Sequence, residues 1–171
     1  HNAYSSQDVA NYVALTLREE VSKFNSSNHE ASMILGVQLP NETRHQIMLV
    51  YPQGNFITTS DDTPFLQIGE SKYGKPILDR VVEQTTTLSI AAAAAIVSMD
   101  STIRSNVSVG APIELCIYRS ASFGSCFYNK FTEDSAFLRD FQSSWDTGIK
   151  KAFKNLPPVE WSEVWETKTS N

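Results

Sequence analysis

The chain has 171 residues, with 14 Lys plus Arg against 19 Asp plus Glu, for a formal charge of −5. A chain of this size is one ordinary domain that buries roughly 70% of its unfolded surface without a disulfide or metal staple. Its acidic balance argues against duplex binding, its 41% hydrophobic content argues against disorder, and its longest weakly polar run, residues 88–99, is too short to cross a bilayer.

The first predicted element is a helix over residues 6–24, capped by Ser5 or Ser6, with Val9, Val13, Leu17, Val21 and Phe24 as its apolar stripe. A polar break at 25–30 leads into strand-like runs at 31–39, 46–51, 55–59 and 64–68. Between them stand turn signals at Pro40-Asn41-Glu42, Pro52-Gln53-Gly54 and Asp61-Asp62. Short strands with tight turns predict an antiparallel meander rather than a βαβ unit. The period then changes. Residues 76–82 read as a short helix opened by Pro76, and a longer helix capped by Thr87 or Ser89 runs to about 105. Its five consecutive alanines, Ala91 to Ala95, have high helix propensity and little bulk, so this helix is expected to be deeply buried between layers, Ile90, Ile96, Val97 and Ile103 included. Strands are expected again at 112–119 and 125–130. A last amphipathic helix at 134–155 carries Phe137, Leu138, Phe141, Trp145, Ile149 and Phe153 on one face. Pro157-Pro158 ends it, before a tail with Trp161 and Trp165. Grouped strands and grouped helices, with no internal repeat or linker, give an α+β fold with helices layered on antiparallel sheet.

Few residues carry an obvious chemistry. His1, His29 and His45 are scattered without metal-ligand spacing, so neither a metal nor any other cofactor is expected. No phosphate-cradling glycine loop and no G-x-S-x-G elbow is present. Cys116 and Cys126 lie in apolar surroundings and read as small core residues, although their place near one hairpin also allows an oxidised pair. Three N-x-S/T sequons, at Asn25, Asn41 and Asn106, are the kind of short motif that chance produces. Asp100 and Arg104, four apart on a helix, predict a surface ion pair. Two polar segments stand out because they fall at element ends, where sites are commonly built: the loop 68–76 and the hydroxyl-rich stretch 98–110. Either can also be read as capping chemistry.

The same two segments carry a family resemblance. Residues 51–57 (YPQGNFI), 63–80 (TPFLQIGESKYGKPILDR), 97–106 (VSMDSTIRSN) and 108–110 (SVG) closely resemble the bacterial proteasome-type proteases called Anbu. The likeness runs in order from the first helix to the Trp161 region. It implies a four-layer αββα sandwich of the N-terminal-nucleophile hydrolases, occupying residues 1–158 with a tail at 159–171. It also implies a bacterial, cytoplasmic, homo-oligomeric ring or spiral acting on peptide or protein substrates, with no nucleic acid or membrane partner. In such enzymes an N-terminal Thr, Ser or Cys attacks the peptide carbonyl, and its own α-amine, with a pKa near 7.7–8.0, serves as base.

The family's first strands, with its nucleophile, acidic residue and lysine, align upstream of residue 1. No catalytic residue is therefore expected in this sequence, which starts without Met and is expected to begin inside, or after processing of, a longer product. What the resemblance carries over is support. Ser71 matches the serine held beside the nucleophile's amine, with Glu70 as the choice under a one-residue shift. Ser105 and Ser108 fall where proteasome subunits pair an Asp with a Ser three residues later, so Ser105 departs from the pattern, and Arg104 adjoins them. Two readings follow: a threonine-type peptide hydrolase subunit, or a non-catalytic ring or scaffold subunit of the same fold.

Overall fold

The computed structural model describes residues 3–24 and 31–160, in two compact units that divide between residues 133 and 134. The first unit opens with helix α1 (Ser6–Ser22) and continues with strands β1 (Met33–Val37), β2 (Gln46–Val50) and β3 (Phe56–Thr58). Helices α2 (Lys75–Val81) and α3 (Leu88–Ser105) and strands β4 (Ile113–Tyr118) and β5 (Cys126–Phe131) complete it. The second unit holds helix α4 (Ala136–Lys154), capped by Ser135, whose hydroxyl accepts from the Leu138 N–H at 3.4 Å. The fold is thus mixed α and β, with antiparallel sheets and four helices among the described residues. None of these helices is long and apolar enough to cross a membrane.

Local chemistry sets the helix starts. At α1 the Ser5 hydroxyl accepts from the Asp8 N–H at 3.1 Å, and the Asp8 carboxylate accepts from the Ser5 N–H at 2.9 Å, a reciprocal capping box. Thr87 caps α3 in the same sense, its hydroxyl facing the Ile90 N–H at 3.4 Å. The residues of α1 that are fully removed from solvent are Ser6, Ala10 and Ala14, spaced four apart. The larger Val9, Val13, Leu17 and Val21 are only half-buried beside them. Small side chains let the helix axis approach the β1–β2–β3 sheet, so the closest line of contact is set by size rather than hydropathy.

That sheet is antiparallel throughout, with Leu35 opposite Met48 and Leu49 opposite Ile57. Its central strand is the core of the unit, with Met48, Leu49 and Val50 all buried. The chain's route from α1 is pinned by Glu42 in the β1–β2 connection, whose carboxylate accepts from the N–H groups of Ser6 at 2.7 Å and Leu39 at 3.0 Å and from the Ser6 hydroxyl. These donors, Leu39 first, hold the Glu42 carboxyl below the usual carboxylate range.

A second, two-stranded antiparallel sheet pairs β4 with β5, Ile113 lying opposite Phe131, both buried. Helices α2 and α3 pack together, and α3 also meets β4. Gln38, just past β1, ties the sheets' loops: its side-chain oxygen accepts from the Tyr118 hydroxyl at 2.8 Å and from the Ala121 N–H at 2.7 Å.

Four expectations from the sequence change. Residues 64–68 join no ladder, with 64–67 half-buried and Ile68 exposed: Pro64 offers no N–H to a neighbouring strand. Burial of α3 is concentrated between residues 94 and 102, where Ala94, Ile96, Val97, Ser98, Asp100 and Thr102 are enclosed. Ile90, in the first half, is 50% exposed. Asp100 is likewise buried rather than on the surface, although its ion pair with Arg104 forms as expected, Nε to Oδ2 at 2.9 Å. Cys116 and Cys126 are exposed, not core residues, because strand alternation puts both on the face of β4–β5 opposite buried Ile113 and Phe131. The sequon at Asn25, His1, His29, Trp161 and Trp165 lie outside the described residues.

Candidate functional site

The two polar segments that stand out in the sequence are joined in space. Gly69, with φ of +78°, turns the chain in a conformation that L side chains rarely adopt, and this turn delivers residues 70–74 to the C-terminal end of α3. There the Asn106 side-chain amide donates to the Glu70 carboxylate at 3.3 Å, across 36 residues of sequence. Lys72 adds an ion pair to the same carboxylate at 3.6 Å. Asn106 is also the C-cap of α3, and its side-chain oxygen accepts from the Ser108 N–H at 2.9 Å. Asn106 therefore ties three features together: the helix end, the Glu70 loop and the turn that carries Ser108. With its amide nitrogen engaged, Asn106 reads as a structural residue rather than a sequon.

Ser71 is half-buried in this loop, and its carbonyl accepts from the Lys75 N–H at 2.9 Å at the start of α2. Arg104 is on the last turn of α3, paired with buried Asp100. Ser105 closes α3, and Ser105 and Ser108 are exposed on either side of Asn106. The fold thus gathers Arg104, Ser105 and Ser108 at one helix end. It brings the Ser71 loop to that end through Glu70 and Asn106. Asn106 does not stand out in the sequence as a connector, and its only signal there is its position between the two serines.

Below the loop, Gly74 and Ser98 fix how closely α2 approaches α3. A β-carbon on Gly74 would sit 2.9 Å from the Ser98 carbonyl oxygen and closer still to its hydroxyl. Ser98 is buried, and its carbonyl also accepts from the Thr102 hydroxyl at 2.9 Å. Gln67 donates to the Ser98 hydroxyl at 3.5 Å. This small-residue crossing is a rigid base for the polar rim above it.

A cavity of about 670 Å³ lies elsewhere in the same unit, between β1–β2, the first half of α3 and the β4–β5 hairpin. Val37, Ile47, Ala91, Ala95 and Ile117 give it an apolar lining, and His45 and Cys116 are polar exceptions. Among the described residues no group of three His, Cys, Asp or Glu side chains is placed to hold a metal ion.

No protein-family model matches the chain, and no curated protein matches it either. Solved structures do. The chain is similar to Anbu (ancestral beta-subunit) from Yersinia bercovieri, with 39% identity and a TM-score of 0.87, over 93% of this chain and 68% of that one. It is similar to the Pseudomonas aeruginosa protein of a helical assembly of the Anbu complex, with 39% identity and a TM-score of 0.86, over 95% of this chain and 69% of that one. Anbu from Hyphomicrobium sp. strain MC1 gives 38% identity and a TM-score of 0.84, over 92% and 66%. The chain spans about two thirds of the length of each.

Proposed function

The chain belongs to the Anbu family of proteasome-like subunits, and on that premise we propose that it is the later part of an N-terminal-nucleophile peptide hydrolase subunit. The observation that carries the reading is the extent of the match: nearly all of this chain superposes, while about a third of each relative has no counterpart in it. In this reading residues 1–158 belong to one proteasome-type domain of four αββα layers, and residues 159–171 are a tail. Strands preceding residue 1 complete the sheets in this reading, and the 48% exposure of Leu88 at the start of α3 supports it, since an apolar helix start is left uncovered among the described residues.

The chemistry would begin on a Thr, Ser or Cys upstream. Its α-amine takes the hydroxyl or thiol proton as the oxygen or sulfur attacks the peptide carbonyl, and the proton passes to the leaving amine. Water then hydrolyses the acyl-enzyme. Residues of this chain act as support. Ser71 is assigned to hydrogen-bond the α-amine and hold its lone pair toward the nucleophile. Arg104, Ser105 and Ser108 are assigned to brace the strand that bears it. Buried Asp100 fixes Arg104, and Asn106 fixes the loop of Ser71 through Glu70.

Reading the encoding frame upstream and sequencing the mature N-terminus test this directly. The expected result is Met followed by Thr, Ser or Cys, with that residue exposed as the new N-terminus. Any other residue there overturns the catalytic reading and leaves a second one, a non-catalytic subunit of a homo-oligomeric ring or spiral. That second reading draws on the helical assembly of the Pseudomonas aeruginosa relative and on the exposed Phe137 and Phe153 of α4.

A further inference from the structure

We propose that Cys116 and Cys126 are a redox modification site, which a hydroperoxide converts to a disulfide running from β4 to β5 on the wall of the apolar cavity. The β4–β5 register places Cys116 opposite Tyr128 and Tyr118 opposite Cys126. Residues two apart on a strand share a face, so both cysteines project to the same side as a diagonal pair. Both are exposed and both line the cavity. The neighbouring Cys126 thiol first, and desolvation second, push the Cys116 thiol up. Residues 1–171 hold two cysteines, so this is the one bridge those residues can form within themselves.

The step balances with one equivalent of oxidant. A Cys126 thiolate attacks the peroxide O–O bond, forming a sulfenic acid and releasing hydroxide or alkoxide. The Cys116 sulfur then attacks the sulfenic sulfur, the S–S bond forms, and the sulfenic oxygen leaves as water with the displaced protons. Both sulfurs are oxidised, and the peroxide is reduced to water, or to water and an alcohol. Both sulfurs are exposed, so a thiol reductant can reach the bridge and reopen it.

The test is intact-mass measurement of the purified chain after stoichiometric hydrogen peroxide, with peptide mapping and a non-reducing gel. The expected result is a loss of about 2 Da in a monomeric band, a cross-linked peptide joining Cys116 to Cys126, and reversal by dithiothreitol. The Cys116→Ser variant should show no loss of 2 Da and instead gain about 16 Da as the Cys126 sulfenic acid, which a sulfenic-acid trap then captures. If both thiols of the unsubstituted chain remain alkylatable after peroxide, or if bridges form only between chains, the proposal is overturned. Neither outcome depends on whether the chain is part of a peptidase.

Discussion

Gly74 and Ser98 meet backbone to backbone: a β-carbon added at Gly74 would lie 2.9 Å from the Ser98 carbonyl oxygen. The Ser98 hydroxyl could rotate away, but its carbonyl belongs to the α3 ladder and cannot. Gly74→Ala should therefore force α2 off α3 and cost about 1–3 kcal/mol, read as a lower urea midpoint with an unchanged slope. Ser98→Gly leaves that carbonyl in place and should rescue little of the loss.

Glu42 makes stability depend on acid. Its carboxyl is held below the usual range by Leu39 and Ser6 donors that exist only in the fold. The carboxylate is then favoured in the folded state, so its contribution is complete above the unfolded pKa and disappears as pH falls through the lower folded value. Glu42→Gln should lower the unfolding midpoint at pH 7. The gap from the unsubstituted chain should narrow as pH falls below the usual carboxylate range, as paired denaturant titrations would show.

The Asp100–Arg104 pair is asymmetric, with the carboxylate side chain 5% exposed and the guanidinium 50% exposed. Removing the outer partner leaves a buried carboxylate with fewer donors, whereas much of the pair's direct attraction is screened by solvent. Arg104→Ala should cost about 1 kcal/mol, and Asp100→Ala should cost more through the buried polar partners it deserts. Thermal melts of the two variants check the order.

Gln38 holds the β4–β5 turn, where Ala121 has a positive φ of 62° and donates its N–H to the Gln38 side chain. Gln38→Leu removes the acceptor for that N–H and for the Tyr118 hydroxyl, with an expected loss of about 1–2 kcal/mol. Amide exchange at Ala121 should accelerate by more than that at Met48 in the core.

The elements with local causes are legible in the sequence. Ser5 and Thr87, each one of two caps the sequence offers, stand at helix starts in the structure, and α4 begins within two residues of the expected 134, because a helix start is settled within one turn. Readings that needed knowledge of a partner fare worse. Residues 64–68 look like a strand but join no ladder. Ile90 looks like a core residue but has no layer over it among the described residues. At the candidate site, the two polar segments are visible as hydroxyl-rich element ends. The Glu70–Asn106 bond that joins them spans 36 positions, and no periodicity signals such a contact. Cys116 and Cys126 look apolar from their neighbours Leu115, Ile117 and Phe127, but strand alternation sends them to the opposite face.

Labelling of the full-length gene product with an electrophilic peptide, followed by mass-spectrometric mapping, tests the central claim most directly. The expected result is one modified residue, an N-terminal Thr, Ser or Cys upstream of residue 1, with labelling slowed at least tenfold by Ser71→Ala while the melting temperature stays within about 2 °C. Absence of labelling in the assembled protein, or a label within residues 1–171, would contradict it.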